Sequence, residues 1–309
     1  MKKNVLVIGG TGFIGSHLAE SLANDGHSVV IATTDPSKQG RRGALAIPVE
    51  HVVFEQRFLE IFLKDRPFDE IHFLGGNSSP HESQLKPRLD FQSTNVALLE
   101  ILETLKHARF GGTFWFASSV AVYGLQRANP LDESLECLPI SAYGLSKKIG
   151  EEQIRFYSRT TELKLGAYRI FSTYGPRLKR QLVYDLLKKI ASNDSTEVRL
   201  LGDGSEGRDM SFVEDQVRAI RVVSGLRAPR GDVVNVGSGR LHTVREVAET
   251  LLRLSGSKKA LIFTGERRGF DGHSWQADIG RLTGLGFSPR YSLEEGLERT
   301  LRAFSDADQ

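Results

Sequence analysis

The apolar run Val5-Leu6-Val7-Ile8 breaks into Gly9-Gly10-Thr11-Gly12-Phe13-Ile14-Gly15, after which the chain resumes in a helical pattern. A strand that ends in spaced glycines and reopens as a helix constrains the fold more than any other feature of this chain. One glycine permits a tight turn, a second allows the backbone to approach a ligand, and a third allows the helix to pack closely on the sheet. Free N–H groups at the helix N-terminus then face an anion. Both G-x-G-x-x-G (Gly10, Gly12, Gly15) and G-x-x-G-x-x-G (Gly9, Gly12, Gly15) are satisfied. Strand, glycines and helix come in the order that seats a dinucleotide pyrophosphate, so Gly9, Gly12, Phe13, Ile14 and Gly15 are predicted to touch a cofactor.

The chain's 309 residues can bury a full core as one large domain or two intimately joined ones. Lys plus Arg number 41 against 38 Asp plus Glu, a net charge of +3, which makes no case for nucleic acid as a partner. The single cysteine, Cys137, excludes an internal disulfide and a Cys-based zinc cluster. The eight histidines show no metal-ligand spacing, so no metal is expected. Gly9 to Gly15 interrupt the N-terminal apolar run too early for a signal peptide, and no stretch is long enough to span a membrane. A cytoplasmic protein without a membrane partner is the expectation.

Strand-like runs at Val5–Ile8, Val29–Ala32, His51–Phe54, Ile71–Leu74, Thr113–Phe116 and Leu165–Phe171 alternate with helical patterns. That rhythm predicts an α/β fold with a doubly wound parallel (Rossmann) sheet. The helix predicted over Ser93–Lys106 is apolar on more than one face, which suits packing on the sheet and against a second subunit. Beyond Tyr174-Gly175-Pro176 the pattern shifts to helices near Leu182–Ala191, Val244–Leu254 and Leu293–Phe304 and short strands near Val198–Leu201 and Met210–Val213. This reads as a smaller mixed α/β substrate domain, made of 173–211 and roughly 242–309, interleaved with a dinucleotide domain of 1–172 and roughly 212–241.

Tyr143-Gly144-Leu145-Ser146-Lys147 opens another helical pattern, and the i, i+4 spacing places Tyr143 and Lys147 one turn apart on one face. A phenol is a poor base at neutral pH, but a nearby ammonium favours phenolate. Such a pair can move a proton to and from a substrate hydroxyl; its plainer reading is two solvated surface neighbours. Phe116-Ala117-Ser118-Ser119 ends a strand in hydroxyls at the sheet edge where doubly wound folds bind ligands. Ser119 can hydrogen-bond the reacting hydroxyl, its plainer reading being a strand-end residue that satisfies a turn, and Ser118 suits that turn role alone.

With these residues in view, the chain resembles the extended short-chain dehydrogenase/reductase family almost end to end, in its nucleotide-sugar-modifying epimerase/dehydratase branch. The resemblance carries the glycine motif onto Gly9, Gly12 and Gly15, the Ser/Thr, Tyr and Lys triad onto Ser119, Tyr143 and Lys147, and an Asn of the long helix onto Asn95. Arg169-Ile170-Phe171-Ser172-Thr173-Tyr174-Gly175-Pro176 is similar to the family's R-x-F-N-x-Y-G-P. Gly202-Asp203-Gly204-Ser205 with Arg208-Asp209 resembles G-x-G-x-x-x-R-D, and Asn235-Val236-Gly237-Ser238-Gly239 matches a further segment. It implies hydride transfer between a nicotinamide and a carbinol carbon while Tyr143 handles the proton and Lys147 holds the nicotinamide ribose. It also implies that Arg208 and Arg268 clamp a nucleotide diphosphate, and that the chain dimerises through the helices bearing Asn95 and Tyr143.

Three departures shape the expectation. Where family dehydratases carry Asp-Glu after the Ser/Thr, this chain has Val120 and Ala121, neither able to transfer a proton, which disfavours a 4,6-dehydratase. Ser172 replaces the Asn of R-x-F-N, shortening the reach toward a diphosphate. At the end of the second strand Thr33 stands where the acidic residue that takes the NAD ribose is expected, and Asp35, two residues on, is at a distance from the glycines that could still serve. Thr33, Thr34, Lys38, Arg41 and Arg42 suit the 2′-phosphate of NADP, although a basic solvated loop explains the last three equally. NAD and NADP stay open, with a tilt toward NADP. Ser79 and His81, in a loop predicted to face the site, are candidate substrate contacts, and Glu55 a candidate near the adenine or an exposed carboxylate.

The sequence therefore predicts an NAD(P)-dependent enzyme acting at a ring carbon, C4, of a nucleotide-diphosphate sugar. A 4-epimerase ranks first and an NADPH-dependent 4-ketoreductase second. A non-catalytic cofactor-binding scaffold and a reductase of non-sugar carbonyls are the remaining alternatives.

Overall fold

The computed structural model describes residues 2–33, 50–53, 59, 63, 67–77, 79–126, 128–266 and 274–307. In chain order its elements are β1 (Asn4–Ile8), α1 (Phe13–Asn24), β2 (Ser28–Thr33), β3 (Glu50–Val53), β4 (Glu70–Phe73), α2 (Pro80–Leu85), α3 (Pro87–Phe91), a π-helical turn (Gln92–Val96), α4 (Ala97–His107) and β5 (Thr113–Ser119). A 3-10 turn (Val120–Val122), α5 (Ala142–Thr160), β6 (Lys164–Ile170), β7 (Ser172–Tyr174), α6 (Gln181–Ala191), β8 (Glu197–Leu200), β9 (Gly207–Phe212) and α7 (Val213–Ser224) follow. The remainder is β10 (Arg230–Val236), β11 (Leu241–Thr243), α8 (Val244–Leu254), β12 (Ala260–Phe263), α9 (Gly280–Gly284) and α10 (Leu293–Ala307).

Two compact units divide these elements: Met1–Gln126 with Glu133–Ile170 and Ile220–Asn235, and Arg127–Asp132 with Phe171–Ala219 and Val236–Gln309. The sequence sets the joins near 172, 212 and 241; by contact the chain crosses between the units after Ile170, inside α7 and at the end of β10. The last two fall in regular elements whose composition carries no linker signal.

The first unit is built on a seven-stranded sheet in the order β10-β6-β5-β4-β1-β2-β3. Every neighbouring pair from β6 to β3 is parallel. The order reverses between β1 and β4, and their carboxyl ends form the switch point at which doubly wound sheets bind ligands. Parallel strands covered on both faces read as continuous apolar runs, and Val5, Leu6 and Val7 are fully buried. Leu98, Ile101, Leu102 and Leu105 recur at helical spacing on α4 and join Phe114 and Phe116 of β5 in one core. Trp115 lies within the sheet, its ring on the Gly166 backbone of β6, where a Cβ would sit 2.3 Å from the ring.

A polar cluster lies at the edge of this core. His72 of β4 shares hydrogen bonds with Glu70 (2.7 Å) and the Tyr168 hydroxyl (3.3 Å), and the Lys3 ammonium donates to the other Glu70 oxygen at 2.6 Å. Burial alone would raise the Glu70 carboxyl, but the bonds and charges of His72 and Lys3 outweigh it and bring it down to about 2.

The second unit holds a three-stranded mixed sheet, β11-β9-β7, and a parallel pair, β12-β8. Asp209 of β9 is buried and accepts the backbone N–H groups of Ser238, Gly239 and Ala277 and the Ser238 hydroxyl. Burial raises its pKa in spite of these bonds. Among the described residues no helix is long and apolar enough to cross a membrane.

The unfolded chain protonates Glu70 near 4.5 and the native one near 2, so its contribution is complete above about pH 4.5 and disappears as the pH falls toward 2. Urea titrations between pH 5 and about 2 should show a flatter acid loss for Glu70→Gln than for the parent; parallel curves refute the assignment.

Candidate active site

The glycine segment forms the turn that the sequence predicts. Gly9 has φ +85°, and a Cβ there would lie 2.7 Å from the Gly75 nitrogen, beside the end of β4. A Cβ on Gly15 would lie 2.4 Å from the Gly9 carbonyl oxygen, so α1 reaches the turn only because this residue has none. Gly12 caps α1 without a side-chain hydrogen bond, leaving the first-turn N–H groups, Phe13 to Gly15, to another acceptor. The cradle and its bare helix end fit a dinucleotide pyrophosphate. The Thr33 hydroxyl, at the end of β2, is hydrogen-bonded by the Thr11 hydroxyl of this turn at 3.3 Å.

Beside it, α5 begins at Ser141, whose hydroxyl accepts the Gly144 N–H at 3.0 Å. The helix then runs close over β5. A Cβ on Gly144 would lie 2.4 Å from the Ala121 carbonyl oxygen, and one on Gly150 would lie 2.5 Å from the Phe116 ring. That approach carries Lys147 to the strand: its ammonium donates to the Ala117 carbonyl at 2.9 Å and lies 4.9 Å from the centre of the Phe116 ring and 5.7 Å from that of Tyr143. Lys147 is only 4% exposed. Burial lowers its pKa to about 8, opposed by the charge of Asp90. The Ser119 hydroxyl oxygen accepts the Ala121 N–H at 3.2 Å, which leaves its own proton available to a ligand.

The continuous helix predicted over 93–106 is broken at its start. Gln92–Val96 form a π turn, and only then does α4 begin. Asn95 in this turn is fully buried; its amide donates to the Ser146 carbonyl at 2.8 Å, one residue before Lys147, while its side-chain oxygen has no partner. π turns admit one extra residue and recur at functional sites. Ser79 caps α2, accepting the Glu82 N–H at 3.2 Å, and His81 is exposed on the first turn of that helix.

Ser172 and Arg208 belong to the second unit. Ser172 lies on β7 opposite Met210. The Arg208 guanidinium lies 5.1 Å from the Trp275 ring centre and donates to the Gly207 carbonyl at 2.8 Å. Thr34, Asp35, Lys38, Arg41, Arg42, Glu55 and Arg268 lie outside the described residues.

Sequence reasoning missed a buried ion pair. Glu151 accepts from Arg169 through both oxygens, at 2.9 and 2.7 Å, and from the Ser118 hydroxyl at 2.6 Å. Ser118 therefore ties strand to helix instead of closing a turn. Burial lowers the Arg169 pKa, but Glu151 more than reverses the effect. The signal was present: Glu151 follows Lys147 by four residues and Tyr143 by eight, on the same face. Tyr123, pushed up to about 12 by burial, donates to the Asn235 side chain at 2.7 Å, joining two of the sequence motifs.

The model of the NAD dependent epimerase/dehydratase family matches residues 5–237, and the chain belongs to that family. A UDP-glucose 4-epimerase of Azospirillum brasilense is 31% identical over 319 positions, covering 96% of this chain and 90% of the relative. A UDP-N-acetylglucosamine 4-epimerase from Methanobrevibacter ruminantium, solved with UDP-N-acetylmuramic acid, matches the fold with a TM-score of 0.90 at 28% identity, covering 99% of this chain and 100% of that one. A UDP-glucuronic acid 4-epimerase from Bacillus cereus, solved with UDP-glucuronic acid and NAD, gives 0.87 at 25% identity, covering 98% and 99%. The resemblance to extended short-chain dehydrogenase/reductases holds, and the protein is an enzyme that uses a nicotinamide dinucleotide.

Two substitutions test this geometry. Gly15→Ala drives a methyl into backbone and should weaken NADH binding, followed by its fluorescence, by about tenfold or more. Glu151→Gln leaves Arg169 buried without its anion and should cost about 3–5 kcal/mol in urea unfolding; a loss below 1 kcal/mol refutes the pair's role.

Proposed function

We propose that this enzyme is an NAD-dependent 4-epimerase of a nucleoside-diphosphate sugar. The observation that carries this reading is the placement of Tyr143 and Lys147 on a helix held against the strand that ends in Ser119. Several relatives are named as UDP-sugar 4-epimerases, and NAD accompanies the sugar nucleotide in the Bacillus cereus enzyme. These matches favour NAD over the NADP toward which the basic residues after β2 tilt.

When bound, the nicotinamide supplies hydride removal and return at the ring carbon; the hydroxyl proton is left to the protein. Tyr143 takes that proton at its phenol oxygen and gives it back, and the Lys147 charge beside its ring lowers the cost of the phenolate. Ser119 donates its free proton to the same substrate oxygen. Gly9, Gly12 and the first-turn N–H groups of Phe13, Ile14 and Gly15 hold the pyrophosphate. Arg208, its planar fork stacked on Trp275, takes the substrate diphosphate together with Arg268. Val120 and Ala121 offer no acid or base for loss of water.

A homodimer completes this reading. Leu89, Phe91, Val96, Leu99, Leu145 and Phe156, on or beside the helices that carry Asn95 and Tyr143, expose 37–57% of their surface. Apolar side chains gathered on adjoining helices suit a second copy of the same surface.

Mass spectrometry of ligands released from the purified protein should find retained NAD or NADH and an activity interconverting 4-epimers; NADP that exchanges at each turnover would select the ketoreductase instead. Tyr143→Phe should lower turnover by about 100-fold or more while NAD affinity stays within a few-fold, and full activity in that variant refutes the mechanism. Leu99→Glu with Leu145→Glu should yield a monomer by light scattering.

A further inference from the structure

Among the described residues, the Lys147 ammonium has a carbonyl and two aromatic rings around it but no anion in contact. A cation so placed needs a counter-charge nearby. Asp90, on α3, is 1% exposed. One of its oxygens accepts the Ser83 hydroxyl at 2.9 Å, and Ser83 is itself hydrogen-bonded by the Asn77 amide at 3.0 Å. The other oxygen, Oδ2, is buried and has no hydrogen-bond partner. The π turn shapes this arrangement: Asp90, Thr94 and Asn95 are buried, whereas Phe91, Gln92 and Ser93 between them are exposed. Both α3 and the π turn pack on α5, and Asn95 fastens the turn to Ser146, the neighbour of Lys147.

We propose that Asp90 is the buried counter-charge of Lys147, a positioning residue that keeps the ammonium cationic and thereby sets the upper pH limit of proton transfer at Tyr143. The inference rests on Tyr143 and Lys147 being the proton-handling pair. Among the described residues, Asp90 is the charged group that opposes the effect of burial on Lys147.

Other ionisable groups lie on the elements packed against α5. His81 and Glu82 are on α2, and Arg88 is beside Asp90 on α3. Of those on α4, Glu103 is engaged by Tyr157 and Lys106, and Glu100 and His107 complete the set. Arg169 of β6 and Arg155 of α5 are bound to Glu151, Glu152 is paired with Arg155, and Lys148 donates to the Cys137 carbonyl. Lys164 of β6 donates to the Gly111 carbonyl, and Tyr123 follows the 3-10 turn. None of these charges contributes to the balance at Lys147.

The test is an NMR pH titration of the full-length protein carrying 13C-lysine, with Lys147→Met identifying the resonance. The midpoint should lie near 8 in the parent and fall by about one pH unit in Asp90→Asn, or in Asp90→Ser if the amide does not fold. Ser83→Ala keeps the carboxylate and should leave the midpoint in place. With UDP-glucose or another accepted sugar nucleotide, the alkaline limb of kcat should move down with the midpoint while KM is unchanged. An unmoved midpoint in the Asp90 variants, or an equal shift in Ser83→Ala, overturns the proposal. A moved midpoint in an enzyme that turns over no sugar nucleotide supports the counter-charge and refutes the proposed substrate instead.

Discussion

The approach of α5 to β5 is the contact on which the rest of the site depends. Two glycines of the helix touch atoms of β5 and the turn beyond it, and no side chain could be added at either without displacing backbone or a core ring. The close spacing exchanges the water around Lys147 for a carbonyl oxygen and the faces of two aromatic rings. A cation bound in that way keeps its position, and its field is weakly screened. The phenol one turn away therefore meets a fixed positive charge in place of a mobile surface lysine.

Charges elsewhere in the interior follow the same physics. Arg169 with Glu151, Glu70 with His72 and the half-exposed Lys3, and Asp209 with its ring of N–H donors each give a buried charged side chain a partner. These groups hold elements together. Arg169, Asp209 and Asn235 come from segments that carry the resemblance to the family, and their hydrogen bonds run to the scaffold. Arg208, next to Asp209, instead turns its guanidinium to the face of Trp275. Adjacent residues of one motif thus turn to different partners, because successive side chains of a strand point to opposite faces.

The doubly wound sheet was legible because buried parallel strands leave uninterrupted apolar runs, and the glycine cradle because its spacing has few other uses. Tyr143 and Lys147 were legible as a pair from helical spacing. The π turn was not: a single added residue alters the helix phase without altering composition, and Gln92-Ser93-Thr94-Asn95 reads as ordinary helix. Asp90 stayed hidden for the same reason, since Pro87-Arg88-Leu89-Asp90 has the composition of a solvated turn. The turn role read for Ser118 falls to Ser119, because Ser118 faces Glu151 and Ser119 the turn after β5.

Sequence by itself determined the order of strands and helices, the seat for a dinucleotide and the chemical types available to move a proton, because these depend on local pattern and residue identity. Only the tertiary structure decided which charges lie out of water and which groups balance them. That depends on segments far apart in the chain, such as Asp90 and Lys147 or Ser118 and Glu151, being packed into one interior where an unpaired charge costs far more than it does at the surface.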